Sequence, residues 1–464
     1  LKRTSLTLAV AVLAVLWAAA PASAEIKTET FRFPVSVKGY QVKQSISGAE
    51  HPEVDGYITG MSTDIVDADG TPVSIKRLML HHIVFTKVGE APTGCENYTG
   101  FDVDQVLQAA TRPFYGAGEE RNVLALPHGY GLKMKANDPW LMVWMLMNHK
   151  KTVDKAFIQW KVTYDTDPNI KPVNPYWLDI KNCNADPIFS VPGGGGPGST
   201  YSKSYDITMP ESGHIVSAGG HVHGGAKDLV ISQPDCGNRT IITQHPAWAM
   251  PDHPFYTVRP ILHEPGPIAV SGTLTSQGYP VAQGERLRLT ANYDNERTHT
   301  RVMGISMVYV APSETPVNGC GPLPSDVETT VTSQPHRVQT PVFKVPIVGI
   351  GPNGKARTIQ RPPGRTVKLR SGSKISVNNY FFGRANVQVK RGAKLSWIFH
   401  GGSVDNPFEV NDKIHNVTVA NGPRGFASPN RSKGKFAYRF KTRGKYQIFC
   451  ALHPVAMTET VTVK

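Results

Sequence analysis

The chain has 464 residues, 50 Lys and Arg against 36 Asp and Glu, and a net charge of +14, a length that corresponds to about three domains of ordinary size. The charge is unevenly placed: from residue 336 onward 23 Lys and Arg face 4 Asp and Glu, a net of +19, which leaves −5 for everything before it. Beyond the first 24 residues no apolar run is long enough to span a bilayer, since Leu141 to Met147 falls far short of the roughly twenty residues required. The positive balance comes without any nucleic-acid recognition motif, so the basic end reads as a solvated face or as a docking surface for an acidic redox partner, an anionic envelope or its own mildly acidic neighbour in the chain.

Residues 1–24 read as an export signal. Lys2 and Arg3 precede an apolar run from Leu6 to Ala20, and Ala22-Ser23-Ala24 fits the small-x-small rule for cleavage after Ala24. Export places the protein outside the cytoplasm, where spare thiols pair. If Cys450 is kept for another purpose, Cys95, Cys183, Cys236 and Cys320 allow three connectivities, and the expectation is Cys95 with Cys183 and Cys236 with Cys320.

Strand signals dominate the rest, with a single helical period at Val103 to Ala110. Strands are expected at Ala156 to Tyr164, Leu287 to Tyr293 and Arg301 to Tyr309. A breaker cluster at Val191-Pro-Gly-Gly-Gly-Gly-Pro-Gly198 and a Pro/Ser/Thr/Gly-rich stretch from Ala311 to Gln334 divide the chain. The pieces are 25–190, 199–312 and 336–464, with a linker at 313–335, and no short internal repeat is evident.

The first two pieces carry paired histidines. His81-His82 lies in Leu78-Met-Leu-His-His-Ile-Val-Phe, and His221-Val222-His223 is followed by Gly224-Gly225. On a strand, residues two apart share a face, so His221 and His223 can grip one metal. Neighbours such as His81 and His82 point to opposite faces and need a bulge or a strand end to share one. Between the pairs stand Leu126-Pro-His-Gly-Tyr-Gly-Leu132 and an apolar strand ending at His149, and after them come Tyr293-Asp-Asn-Glu-Arg-Thr, Met303 and Met307.

Taken in order, these four segments resemble the copper type II monooxygenases, the family of peptidylglycine α-hydroxylating monooxygenase and dopamine β-monooxygenase, over residues 30–312. The resemblance implies two jelly-roll-like β-sandwiches facing each other across a cleft. His81, His82 and His149 would hold an electron-storing copper, and His221, His223 and Met303 the oxygen-binding one, with Met307 as the alternative thioether. It also implies hydroxylation of an unactivated C–H bond with O2, each turnover drawing two electrons from ascorbate or a similar one-electron reductant. The chain departs from the peptide-amidating branch where substrate is chosen. Gly219, Ile305 and Met307 stand where that branch has an Arg, an Asn and a Tyr to clamp a carboxylate, so peptidylglycine is a poor substrate and the small-molecule substrate is open. Trp140, Trp144, Trp177 and Trp248 are candidates for lining an apolar pocket.

In the last piece Val387 to Lys390 alternates, Lys394 to Phe399 is strand-like, and Lys445 to Phe449 runs straight into Cys450-Ala-Leu-His453-Pro-Val-Ala-Met457. His415-Asn416-Val417 precedes them. Two imidazoles, a thiolate and a thioether tolerate both Cu(I) and Cu(II), the donor set of a one-electron carrier. Residues 338–464 resemble the cupredoxins of the plastocyanin and pseudoazurin type, which implies a Greek-key β-sandwich with His415, Cys450 and His453 as strong ligands and Met457 as the weak axial one. The whole therefore reads as all-β, two tandem sandwiches followed by a cupredoxin-like domain, with three coppers and the last domain as an electron relay. The alternative is an exported copper-binding or electron-transfer protein without hydroxylase activity. A multicopper oxidase is excluded by the lack of a His beside Cys450.

Overall fold

In a computed structural model the described residues are 25–90, 111–181, 187–258, 260–330, 348–350, 356–358, 364–402, 409–410 and 413–464. The architecture is all-β. Among the described residues no helix is long and apolar enough to cross a membrane. The expected signal segment, the helical period at Val103 to Ala110, and both Cys95 and Cys183 lie outside the described residues.

A ten-stranded sheet runs through both front pieces. Its path is Ile26–Val37, Asp154–Asp165, Gly56–Val66, Tyr130–Met134, Lys171–Asp179, Gly304–Pro312, Gly213–Val222, Gly272–Val281 and Glu328–Thr330, with the tenth strand, Leu124–Ala125, paired to Gly56–Val66 off this path. The first half is covered by a five-stranded sheet containing Val42–Ala49, Trp140–Asn148, Leu78–Val88 and Thr111–Gly118, and Val35, Ile58, Phe85, Trp144 and Trp160 are buried in the core shared with it. The second half is covered by Thr200–Thr208, Arg286–Asp294, Ala226–Gln233 and Arg239–Gln244 around Leu178, Ile215, Leu229, Leu289 and Val308.

The hinge of this arrangement is the strand Gly304–Pro312, paired with Lys171–Asp179 on one side and Gly213–Val222 on the other. Its apolar run Ile305-Ser-Met-Val-Tyr-Val310 is buried on both faces: Met307 and Tyr309 enter the first core, Val308 and Val310 the second. A strand covered on both faces has no polar side to show, so its sequence reads as continuous rather than alternating. The single strand expected at Arg301 to Tyr309 is in fact two, His299–Val302 and Gly304–Pro312, and Met303 occupies the break between them.

The C-terminal unit is a sandwich of a five-stranded sheet (Val367–Lys368, Asn386–Val389, Thr458–Val463, Gly444–Phe449, Thr418–Asn421) and a four-stranded one (Phe381–Phe382, Lys374–Asn378, Lys394–His400, Lys433–Arg439). Inward residues of alternating strands, among them Ile375, Leu395, Trp397, Phe440, Tyr446 and Val461, form its core. That core does not stop at the unit's edge. Val42, Met79 and Met147 of the first sandwich and Trp248, Phe255 and Leu262 of the second belong to the same packed cluster. Polar contacts add to it, with Gly425 N–H bonded to Pro192 O at 2.9 Å and Thr300 Oγ1 donating to Val419 O at 2.7 Å.

The disulfide expected between Cys236 and Cys320 is present, joining residues 84 apart. The linker read at 313–335 is in part a strap: Arg239 donates to the carbonyls of Gly319 and Gly321, and Glu328–Thr330 adds a strand to Gly272–Val281.

Candidate metal centres

The strand Leu78–Val88 slips register against Trp140–Asn148 between Leu80 and His82. The bulge turns neighbouring His81 and His82 toward one cavity, their ring centroids 5.3 Å apart. Across from them, His221 and His223 share a face of Gly213–Val222 and its continuation, and their Nε2 atoms converge to 3.1 Å. According to the tautomers, the pair forms one N–H···N hydrogen bond or presents two lone pairs to a shared cation. Each is aimed from behind: Glu120 Oε1 holds His221 Nδ1 at 2.8 Å, and the His223 backbone N–H donates to Tyr293 Oη at 3.0 Å. Tyr293 Oη in turn donates to Met303 O, which ties the thioether residue to the histidine pair. Gly118 supports this side because a Cβ there would lie 2.7 Å from His221 Cε1.

Two residues that no spacing rule points to complete the cluster. Glu119 Oε1 lies 2.6 Å from His81 Nδ1 and also accepts from His263 Nε2, while Gly266 N–H donates to Glu119 Oε2 at 3.0 Å. The His81 ring lies 4.9 Å from that of His263 and 5.3 Å from that of His223. The two groups expected on opposite sides of a cleft are therefore one continuous cluster.

Burial and charge act in opposition here. Desolvation pushes the Glu119 carboxyl up, but His263 and His81 more than offset it and hold it well below the usual carboxylate range. Desolvation outweighs Glu119 at His81 and lowers it, and with its like-charged neighbours drives His82 and His223 well below the ordinary imidazole value. At His221 desolvation is overcome by Glu120, and its value is raised. Imidazoles held neutral are those able to offer lone pairs to a metal.

His149, expected beside His81 and His82, is buried within electrostatic reach of His263 and Glu119. It follows the strand Trp140–Asn148 with its backbone N–H bonded to Arg77 O at 3.1 Å, and it is absent from the cavity wall formed by His81, His82, His223 and His263. Burial first, then the charge of His263, lowers it to about 3. Met303 lines the cavity, whereas Met307 faces a second cavity bounded by Tyr115, Ser217 and Tyr309, so the strand break separates the two thioethers. None of Trp140, Trp144, Trp177 and Trp248 lines the histidine cavity; the first two pack in the first core and Trp248 in the C-terminal one.

In the C-terminal unit His415, Cys450 and His453 offer donor atoms within 4.8 Å of one another. His415 Nδ1 and His453 Nδ1 are 3.2 Å apart, and Cys450 Sγ is 3.6 Å from His453 Nδ1. Asn379 Oδ1 lies 3.1 Å from His415 Nε2 and orients that ring. Asn416 joins the two ligand loops, its N–H reaching Cys450 Sγ at 3.4 Å and its Oδ1 accepting from Ala451 N–H at 2.8 Å. Burial pushes the Cys450 thiol up, partly countered by backbone N–H groups and Arg301, so a cation is needed to hold the thiolate. Met457 is fully buried in the same core as Cys450. A buried sulfur and two buried or half-buried imidazoles converging at the end of a sandwich suit a soft metal.

Phe449, Ala451 and Leu452, the residues flanking and following Cys450, line the same cavity as His81, His82, His223 and His263. The cavity measures about 80 Å³.

The fold and its C-terminal cluster define an all-β protein whose last unit is a β-sandwich carrying a His–Cys–His group able to hold a metal. No family model matches the chain, and no curated protein matches it. Among solved structures, an oxidised mutant of amicyanin is similar over 21% of this chain and 86% of its own, at 19% identity and a TM-score of 0.17. The Cu(I) form of another amicyanin mutant covers 21% and 85%, at 19% identity and a TM-score of 0.17. A Cu-containing nitrite reductase from Thermus scotoductus SA-01 is similar over 58% of each chain, at 12% identity and a TM-score of 0.18.

Proposed function

We propose that the chain is an exported copper enzyme in which the C-terminal unit passes single electrons to the histidine cavity, where O2 hydroxylates a C–H bond of a small apolar substrate. Copper, when bound at His415, Cys450, His453 and Met457 and at His221, His223 and Met303, supplies one-electron redox and dioxygen chemistry. The protein's own part is placement. Glu120 and Tyr293 hold His221 and His223, and the apolar walls Val42, Met145, Met147, Val302 and Leu452 keep water out and favour an apolar guest. The observation that carries the reading is the shared wall, since the peptide on either side of Cys450 borders the space that the front histidines face. The electron donor is ascorbate or a comparable reductant, and the strongly basic C-terminal unit suits an acidic redox partner or an anionic envelope.

Oxygen uptake with ascorbate and a panel of small apolar and phenolic compounds tests this. Uptake is expected in the copper-loaded protein, absent in His221→Ala, and at least tenfold slower in Cys450→Ser, which also loses the blue absorption. Full copper loading with no oxygen consumption on any substrate leaves the second reading, an electron-transfer protein alone.

A further inference from the structure

We propose that His81, Glu119 and His263 form a two-histidine, one-carboxylate site for a divalent first-row metal ion, a centre chemically unlike both the cysteine site and the His221–His223 pair. The proposal does not depend on the hydroxylase reading.

The three donor atoms lie within 4.8 Å of one another and come from the strand Leu78–Val88, the turn after Thr111–Gly118 and a loop of the second sandwich. They are brought together across 38 and 144 residues of sequence, so the cluster is a product of the fold and not of local chain geometry. Their side chains are only 10%, 6% and 14% exposed. Two imidazole nitrogens are directed at the same oxygen, Glu119 Oε1. As a purely structural triad this demands two N–H donors on one acceptor oxygen. A cation among the three satisfies the same atoms through their lone pairs, with one ion in place of two protons.

The surroundings are those of a held ligand. Glu119 Oε2 is fixed by Gly266 N–H, and a Cβ at Gly266 would sit 2.7 Å from that oxygen, so glycine is required for the loop to approach. His81 and His263 also border the roughly 80 Å³ cavity, which leaves coordination positions open to a small exogenous ligand. The donor set then decides the ion. A carboxylate with two imidazoles prefers a divalent cation to Cu(I), and with open positions it is the pattern of sites that bind oxygen-donor ligands. The sequence resemblance assigns His81 to a three-histidine copper with His149. The structure gives His81 a carboxylate partner, Glu119.

The test is metal binding by the full chain, stripped with chelator and titrated with Co2+, read by d–d absorption and by metal content. Glu119→Gln and His263→Ala are each expected to weaken Co2+ binding on the order of 100-fold and to lose one equivalent, while copper added afterwards still develops the blue band of the Cys450 site. Glu119→Asp, which retains the carboxylate, is expected to bind more tightly than Glu119→Gln. Thermal midpoints of the metal-free forms separate loss of a ligand from loss of fold, and His263→Ala, on a loop, serves if Glu119 variants do not fold. Unchanged stoichiometry and affinity in folded Glu119→Gln and His263→Ala overturn the proposal, as does Co2+ binding abolished by His221→Ala but indifferent to Glu119.

Discussion

Asp179 illustrates what a single buried group does to this protein. It ends the strand Lys171–Asp179, is fully buried, accepts from Lys181 N–H at 2.6 Å through Oδ1, and has no partner for Oδ2. Burial pushes its carboxyl up to about 7, against the opposing effect of the Lys181 N–H and Trp177. An unfolded Asp titrates near 3.9, so between about pH 4 and about pH 7 the folded chain holds a proton that the unfolded chain releases. Stability from this group is complete below that window and is lost as pH rises through it. Denaturant unfolding at pH 5 and pH 8 is expected to show a loss on the order of 2–4 kcal/mol in the wild type that Asp179→Asn removes. Equal slopes in the two proteins would place the buried proton elsewhere.

At the scale of elements, position is set by irregularities in otherwise regular strands. The bulge at His81 brings two adjacent imidazoles to one cavity, and the break at Met303 separates one thioether from the next. The strap closed by Cys236 and Cys320 is held by its bridge and by hydrogen bonds to Gly319 and Gly321. Chain entropy for a loop of that length gives about 4.5 kcal/mol as an upper figure, and Arg239 and Gln233, both bonded to Gly319 O, retain part of the strap without the bridge. The double variant Cys236→Ser/Cys320→Ser is therefore expected to lose about 2–4 kcal/mol by urea unfolding, with blue absorption unchanged. A wild-type midpoint in the variant would mean that the hydrogen bonds alone hold the strap.

For the molecule as a whole the decisive feature is that the C-terminal unit is packed into the front pair and is not tethered as a separate bead. The glycine-rich breaker at Val191 to Gly198 is a docking loop, where Arg424 donates to Gly193 O and Gly425 N–H to Pro192 O. A Cβ at Gly425 would collide with Thr298 Oγ1, so the approach is as close as backbone permits. With Val42, Met147 and Phe255 in the same core as Trp397, the three units should unfold together. Calorimetry is expected to give one transition for the wild type, and for Thr300→Val/Arg424→Ala an earlier, separate one for the C-terminal unit, at a cost of about 1–3 kcal/mol for the hydrogen bonds removed. A single transition at the wild-type midpoint would mean that apolar contact suffices.

Much of this was legible in the residues. The strand periods at Ala156 to Tyr164 and Leu287 to Tyr293 lie within observed strands Asp154–Asp165 and Arg286–Asp294, and the order His415, Cys450, His453 named a ligand cluster that the sandwich does assemble. Side-chain alternation and ligand chemistry are local, so a single chain carries them openly. Which histidines meet was not local. His263 has no motif around it, and Glu119 and Glu120 look like an ordinary acidic turn. Only the closing of Gly304–Pro312 between two cores brings the second sandwich's loop onto the first sandwich's bulge, because contacts across 144 residues depend on how sheets stack and leave no periodic trace in the chain.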